Sequence, residues 1–320
     1  MRSEQQVLER PGASLAYDVH APEAGEPTAV VHVVHGLAEH AARYRRLAQA
    51  LTGRGWVVYA HDQCGHGRSA KTTEALGHLG DEDGWGAVVA DLRAFVELSG
   101  ARHPGRPRAV VAHSMGSLVL QDYLSRYQGG DLTAAALSGT SGPPPAVATL
   151  GRLVARVERL RQGREGRSAL IDKLAFGRYN QRFEPARTAF DWLSRDPEEV
   201  DRYVNDPWCG FRATNETWVQ LLDALPRLSR PAALARIPRL LPIYLFSGEA
   251  DPVGVEGAGV TELARRYRDA GLADVTVQLY PEARHEVLNE THRDEVTDQL
   301  LTWLGGRLVA GVTAGNAAAV

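Results

Sequence analysis

The sequence is poor in cysteine, lacks long apolar runs and carries almost no excess charge. Its 320 residues include only two cysteines, Cys64 and Cys209, which are too few for a disulfide framework and suit a reducing, cytoplasmic compartment. No run of about 18 apolar residues occurs, so we expect no membrane-spanning segment and at most transient contact with a lipid surface. The net charge of −3 gives no reason to expect a nucleic-acid partner.

The sequence also lacks the spacings that metal ions and nucleotide cofactors require. "GHGRSA" (65–70) matches a dinucleotide-binding string, but its glycines do not open a periodic helix, so we interpret it as a turn. The HExxH spacing of zinc peptidases is absent from "HEVLNETH" (285–292) and from the histidines nearer the N-terminus: His32, His35, His61 and His66. We therefore expect neither a metal site nor an organic cofactor.

Short, nearly continuous apolar runs predict strands that are buried on both faces, as in a parallel sheet. Six such runs occur, at 29–34, 56–60, 109–113, 132–138, 242–248 and 274–280. Helical patterns lie between them, at 43–55, 84–100, 115–127 and 259–271. This alternation predicts an α/β fold with a doubly wound, mostly parallel sheet and helices on both faces.

Residues 143–236 break this alternation. They open with "PPP", lack a convincing buried strand and contain helical fragments such as "ATLGRLVARVERL". We interpret this segment as a helical cap inserted into a core formed by residues 1–142 and 237–308. The last residues, 309–320, are low in complexity and predict a flexible tail.

The stretch Ala112-His113-Ser114-Met115-Gly116 matches a relaxed nucleophile-elbow pattern, in which a small residue lies two positions before the serine and a glycine two positions after it. A predicted strand enters this stretch and a predicted helix leaves it, which is the context that the elbow requires. The alternative is that Ser114 only caps the helix. We favour the nucleophile.

A serine hydroxyl becomes a good nucleophile when a base takes its proton. Asp251 and His285 follow two later predicted strands, in the chain order that this kind of site uses. Both therefore fall at the same edge of the sheet as Ser114. Alternatively, Asp251 belongs to an Asp-Pro turn and His285 is a surface or capping histidine. We favour a Ser114-His285-Asp251 triad.

Two backbone amides near Ser114 predict an oxyanion hole. His35-Gly36 makes a turn after an early strand, so that the Leu37 amide can point into the site together with that of Met115. In the cap, large apolar residues are candidates for an acyl pocket, with the cap's own core as the alternative: Leu150, Leu153, Phe176, Phe183, Phe190 and Trp192. Among these we single out Phe183 and Trp192 as substrate-binding residues.

Five motifs in order resemble the α/β-hydrolase superfamily, specifically its monoacylglycerol lipase and lysophospholipase-like branch: "VVHGLAEHAARY", "DQCGHGRSA", "AHSMGS", "SGEADPVG" and "ARHEVLNE". The resemblance spans residues 5 to 305 and implies an eight-stranded core with a helical cap. It also implies Ser114 as nucleophile, Asp251 and His285 as its partners, and Leu37 and Met115 as oxyanion amides. The family more often has glycine at the positions of Ala112 and Ser117.

The residues and the resemblance together predict a serine carboxylester hydrolase that acts on a small acyl ester, such as a monoacylglycerol. Alternatives on the same fold are a lysophospholipase and a peptidase or amidase, because these enzymes share the triad chemistry. A binding protein that retained the fold without activity is a further alternative. Such a protein has no need of all three triad residues, which favours the enzyme.

Overall fold

The computed structural model describes residues 1–129, 131–144 and 147–308. Its centre is an eight-stranded sheet with the spatial order β1-β2-β4-β3-β5-β6-β7-β8. The strands are β1 Arg2–Arg10, β2 Ala13–Ala21, β3 Ala29–Val34, β4 Trp56–His61, β5 Arg108–His113, β6 Ala134–Ser138, β7 Ile243–Gly248 and β8 Val275–Tyr280. Strands β3 to β8 pair in parallel, whereas β1 and β2 are antiparallel to their neighbours. The predicted sheet and all six predicted strands are confirmed, but the predicted burial on both faces is wrong for β8, which lies at the edge of the sheet and is mostly half-buried.

The apolar runs did not predict β1 and β2. Strand β1 lies at the edge of the sheet, and most of its side chains are exposed. Strand β2 alternates between buried and half-buried residues. Antiparallel strands that bury one face need no continuous apolar run, so only the resemblance implied a sheet of eight strands.

Ten α-helices are present in the described residues. They are α1 Arg45–Gly53, α2 Gly84–Arg102, α3 Met115–Arg126, α4 Val147–Gln162, α5 Ala169–Phe176, α6 Pro197–Asn205, α7 Asn215–Leu228, α8 Pro231–Leu234, α9 Ala258–Asp269 and α10 Arg293–Gly305. The four helices predicted in the core correspond to α1, α2, α3 and α9, with ends that shift by a few residues. Residues Gly67–Ala70 form a single 3-10 turn, in agreement with the interpretation of "GHGRSA".

The core consists of two apolar layers, one on each face of the sheet. Strand β5 shows the reason, because Val110 faces a layer that contains α2, α3 and α9, whereas Val111 faces the layer that contains α1 and α10. Alternate side chains point to opposite faces, and helices cover both faces. A strand in this position needs apolar residues throughout.

The segment between β6 and β7 contains α4 to α8, with two short 3-10 helices between them. Helix α7 packs into the same apolar layer as α2 and α3, through residues that include Trp218 and Leu221. Leu150 and Leu153 on α4 are 59% and 60% exposed, so their interpretation as pocket or cap-core residues is wrong. They face away from the layer that holds α7. The boundaries 143–236 stay a prediction, and the expected tail, 309–320, lies outside the described residues.

Within the described part of the chain, no helix combines the length and the apolar character needed to cross a membrane.

Candidate active site

Ser114 occupies the sharp turn between β5 and α3. Its backbone has φ 50° and ψ −121°, an unusual conformation for a residue with a side chain, which costs about 1–3 kcal/mol. The Ser114 N–H donates to the Ser138 carbonyl at 2.9 Å, which fixes the turn against β6. Between Ser114 and the described residues of α3, the hydroxyl makes no capping hydrogen bond. The geometry therefore favours a reactive hydroxyl over a helix cap.

Small residues after Ser114 let the turn approach a neighbouring strand. A Cβ on Gly116 would lie 2.4 Å from the His35 carbonyl oxygen and 2.5 Å from that of Val34, so only glycine fits. Ser117, where the family more often has glycine, is accommodated because its hydroxyl donates to the Ser114 carbonyl at 2.6 Å. This hydroxyl also lies 2.8 Å from Thr140 Oγ1.

Asp251 and His285 come together at the same edge of the sheet, on the loops after β7 and β8. The two side chains are buried, and His285 Nδ1 lies 2.9 Å from Asp251 Oδ1. The carboxylate also accepts hydrogen bonds from the Ser247 hydroxyl and the Val253 amide, both at 2.9 Å. These contacts hold the carboxylate against one ring nitrogen and leave His285 Nε2 for proton transfer.

His285 lies beside the elbow through its neighbour His113. The two imidazole rings are 4.6 Å apart between centroids, and His113 directly precedes Ser114 in the chain. Burial lowers the pKa of His113 to about 4, so this second imidazole stays neutral near pH 7. An uncharged neighbour avoids repulsion when His285 takes up a proton.

The electrostatics of the pair suit an acid–base role. Burial alone would lower the pKa of His285, but the Asp251 carboxylate raises it above its ordinary value, with smaller contributions from Glu286 and Glu39. Burial would raise the pKa of Asp251, but His285 and the hydrogen bonds from Val253 and Ser247 hold it below its ordinary value. Asp251 is therefore ionised and stabilises an imidazolium.

The two predicted oxyanion amides belong to segments that adjoin Ser114. We call residues 35–40 the oxyanion loop. A Cβ on Gly36 would lie 3.0 Å from Ser114 Cβ, which places the following residue, Leu37, next to the nucleophile. Met115 is the first residue of α3, where backbone N–H groups lack intrahelical acceptors. His35 supports the loop, because its Nδ1 lies 2.7 Å from the Gly36 carbonyl and its Nε2 accepts from the Gln63 amide.

Sequence reasoning missed a buried charged cluster behind this site. The Glu39 carboxylate accepts hydrogen bonds from the Gly36 amide, the Tyr44 hydroxyl and Arg43. Arg43 also forms a two-pronged ion pair with Glu286, at 2.6 and 2.7 Å. Glu286 directly follows His285 in the chain. The cluster therefore connects the oxyanion loop to the loop after β8 that carries His285. The i,i+4 spacing of Glu39 and Arg43 was visible, but their contact with residue 286 was not.

Trp192, but not Phe183, contacts the catalytic histidine candidate. The Trp192 ring lies 5.1 Å from that of His285, and the His285 amide donates to the Trp192 carbonyl at 3.3 Å. Tyr179 packs edge-on against Trp192 at 4.9 Å. Phe183 belongs to the same apolar cluster, but its ring faces the Arg284 guanidinium at 4.1 Å.

Cys64 is unsuited to act as a nucleophile. Burial and the nearby Asp91 charge raise the pKa of its thiol, so the reactive thiolate is scarce near pH 7. Both cysteines are free thiols. Ser114 is therefore the better candidate nucleophile of this region.

Comparisons with known proteins identify the family of this chain. The sequence model of the family described as serine aminopeptidase, S33, matches residues 25–292. The monoacylglycerol lipase of Mycolicibacterium smegmatis is 31% identical over 312 residues, which cover 96% of this chain and 98% of that protein. The monoglyceride lipase of Mus musculus is 29% identical over 304 residues, which cover 89% of this chain and 85% of that protein.

A solved structure extends the likeness to three dimensions. A thermostable carboxyl esterase from Bacillus coagulans, in complex with glycerol, superposes with a TM-score of 0.88. The match has 27% sequence identity and covers 97% of this chain and 100% of that chain.

Proposed function

Because this chain belongs to the α/β-hydrolase family described as serine aminopeptidase, S33, and is a serine ester hydrolase, we propose that it cleaves monoacylglycerol-like esters through Ser114, His285 and Asp251. The observation that carries the proposal is the strained turn at Ser114 beside a buried His285–Asp251 pair at 2.9 Å. If Ser114 were only a helix cap, it would need no strained turn. If His285 were only a surface histidine, it would need no buried carboxylate partner.

The proposed reaction has two halves. His285 takes the Ser114 proton while the serine oxygen attacks the ester carbonyl, and the Leu37 and Met115 amides stabilise the resulting oxyanion. The C–O bond to the alcohol then breaks, and His285 gives its proton to the leaving oxygen. Water attacks the acyl-enzyme by the same route and releases the fatty acid. Asp251 orients the imidazole and stabilises its cation throughout.

The aromatic cluster around His285 supports an apolar acyl group. Trp192 and Tyr179 place two rings next to the base, and Phe176 lies within 6.0 Å of the Trp192 ring. Each methylene that an acyl chain buries there adds about 0.8 kcal/mol of binding. We expect selectivity to rise with chain length up to short-to-medium or medium acyl groups and then to fall. Two relatives named for monoacylglycerol hydrolysis, and an esterase solved with glycerol, support a glycerol ester.

The outer face of the cap supports transient contact with a lipid surface. Leu150, Leu153, Val157 and Leu160 follow each other along α4 at helical spacing, and between 44% and 83% of each residue is exposed. Basic residues such as Arg156 and Arg161 lie on the same helix. An exposed apolar face with adjacent arginines is typical of helices that lie on a membrane surface. Two free thiols agree with a reducing, cytoplasmic compartment, which stays a prediction.

Two measurements test the proposal. A fluorophosphonate probe should label the native enzyme at Ser114, as located by peptide mass spectrometry, and should not label Ser114→Ala. A matched control is Ser125→Ala, which removes a buried hydroxyl from the same helix and should keep normal labelling. The substrate is then tested by kcat/KM on 1-monoacylglycerols of graded chain length, lysophospholipids and aminoacyl amides.

The proposed order of preference places monoacylglycerols first. Lysophospholipids hydrolysed faster than every monoacylglycerol would contradict the proposed substrate, and aminoacyl amides cleaved fastest would show a peptidase. Probe labelling at a residue other than Ser114 would contradict the proposed mechanism.

A further inference from the structure

Outside the triad, one group of three metal-binding side chains converges between the cap and the oxyanion loop. His40 comes from the oxyanion loop, whereas Asp206 and Cys209 come from the segment that follows α6. The imidazole nitrogen, the carboxylate oxygen and the thiol sulfur lie within 4.8 Å of one another. All three residues are half-buried. In the described residues this is the one group of three such ligands.

The backbone on both sides holds the three ligands in place. The Gly210 amide donates to the Ala38 carbonyl at 2.9 Å, and the Tyr203 hydroxyl donates to the same carbonyl at 2.9 Å. The Cys209 amide donates to the Asp206 carbonyl at 3.0 Å. Preorganised ligands bind a metal ion with a smaller ordering cost.

The side chains are also oriented and reachable. His40 Nε2 lies 2.9 Å from one Asp206 carboxylate oxygen, and the Trp208 amide donates to the other at 2.8 Å. Such support of a carboxylate ligand by a backbone amide is common around metal sites. A surface cavity of about 210 Å³ is lined in part by His40 and Trp208, and all three ligand residues are only half-buried.

The local charge favours a cation. Arg43 is the nearby positive group, but it is paired with both Glu39 and Glu286, so these three side chains together carry one negative charge. Asp206 adds a second negative charge beside His40. A divalent cation at this position would compensate that charge.

We propose that His40, Asp206 and Cys209 form a zinc site that ties the cap to the oxyanion loop. Zinc accepts imidazole, carboxylate and thiolate ligands, and a water molecule would complete a tetrahedron. Binding breaks the S–H bond of Cys209, forms a zinc–sulfur bond and releases the proton to solvent. The ligand atoms around tetrahedral zinc lie roughly 3.3–3.8 Å apart, so the observed spacing needs only small side-chain rotations. The thiolate selects zinc over magnesium or calcium.

The test uses Co²⁺ as a spectroscopic probe of the full chain after EDTA treatment and desalting. Titration should produce the visible absorption of tetrahedral cobalt and a thiolate-to-cobalt charge-transfer band, saturating at one equivalent. Cys209→Ser should lose the charge-transfer band. Cys64→Ser, which removes the other half-buried thiol, should keep it. Adding Zn²⁺ should displace the cobalt and abolish both absorptions.

Two further measurements keep the proposal testable if a variant unfolds. In the native chain, Zn²⁺ should slow alkylation of Cys209 by iodoacetamide and leave that of Cys64 unchanged, as read by peptide mass spectrometry. His40→Gln should weaken cobalt binding by at least about tenfold. A charge-transfer band that survives Cys209→Ser, or alkylation of Cys209 that ignores Zn²⁺, would overturn the site. Neither readout depends on ester hydrolysis, so failure here leaves the proposed function standing.

Discussion

The sheet and the cap use apolar residues in opposite ways. In β5 every residue after Arg108 is buried, because helices cover both faces of the sheet. On α4 the apolar residues Leu150, Leu153 and Leu160 are more than half exposed. The sheet places its apolar side chains where they stabilise the fold, so the elements that carry Ser114, Asp251 and His285 are rigid. The cap leaves apolar surface open to solvent, which has a cost unless a ligand or lipid covers it.

The cap itself differs between its inner and outer sides. Trp192 is 7% exposed and packs on His285, whereas Leu160 is 83% exposed. Under the proposed function, the inner side would contact the reacting ester, and the outer side would affect how the substrate reaches the enzyme. Substitutions in the sheet should change the chemistry, and substitutions in the cap should change the choice or delivery of substrate.

The largest effect is expected at the elbow. Ser114→Ala removes the nucleophile and should lower kcat/KM for p-nitrophenyl esters by more than about 10⁵-fold, with the fold retained. Ser125→Ala, on the same helix, should stay close to the native value. The measurement is kcat/KM together with thermal unfolding of both variants. If folded Ser114→Ala keeps turnover near the native level, Ser114 is not the nucleophile. The proposed division between a sheet that carries the catalytic residues and a cap that selects the substrate would then be wrong.

A smaller loss is expected at Asp251, with a shift in pH dependence. In the native enzyme kcat/KM should rise with pH as His285 loses its proton, and the midpoint should lie above 6.5 because Asp251 raises the pKa of the imidazole. Asp251→Asn removes this carboxylate while burial persists, so the midpoint should move down. Activity should fall by about 10⁴-fold. The check is a pH–rate profile of both proteins, and an unmoved midpoint would contradict the assigned role of Asp251.

A substitution in the buried cluster of Glu39, Arg43 and Glu286 should lower activity by an intermediate amount. Glu39→Gln leaves Arg43 with only one carboxylate and weakens the hold on the Gly36 amide. We expect kcat to fall about tenfold or more with little change in KM, because charged hydrogen bonds contribute about 1.5–3 kcal/mol. Glu97→Gln is the control, since it breaks an exposed ion pair with Arg93 on α2. Equal kinetics for the two variants would mean that the cluster stabilises the fold without positioning the loop.

The inner side of the cap should affect selectivity more than rate. Trp192→Ala and Phe183→Ala should flatten the dependence of kcat/KM on acyl length, by about fourfold for each methylene no longer buried. We expect the larger change for Trp192, because it contacts His285 whereas Phe183 faces Arg284. The measurement is kcat/KM across an ester series. If the dependence of kcat/KM on acyl length is unchanged in both variants, the loops of the sheet, rather than the cap, determine specificity.

The smallest effect is expected on the outer side of the cap. Leu160→Ser should leave hydrolysis of a dissolved short-chain ester unchanged, because this side chain is exposed and far from the reaction. With monoacylglycerol in anionic vesicles, the rate should fall by about twofold to fivefold, since less apolar surface enters the lipid. Vesicle co-sedimentation checks binding directly. Equal losses on both substrates would show that α4 acts inside the site rather than at a surface.

A structural feature was predictable from the sequence when its signal came from residues that lie close together in the chain. Strands β3 to β7 were predictable because burial on both faces requires an apolar run. The edge strand β8 has a similar run although it is only half-buried, whereas β1, with its exposed side chains, left no such trace. The turn at Ser114 was predictable because Gly116 must approach the backbone of a neighbouring strand. The exposure of Leu150 was not, because helical spacing shows which residues share a face but not what covers that face.

By itself, the sequence determined the order of the six parallel strands and of the four core helices predicted between them, the turn at Ser114 and the positions of Asp251 and His285 at ends of strands. These features follow from periodicity and turn chemistry, which act between residues close in the chain. Only the tertiary structure decided that Glu39, Arg43 and Glu286 share one buried cluster, and that His40 meets Asp206 and Cys209. Glu39 and Arg43 meet Glu286 because the segments after β3 and β8 lie at the same edge of the sheet, whereas packing of the cap brings Asp206 and Cys209 to His40. No spacing rule relates residues so far apart in the chain.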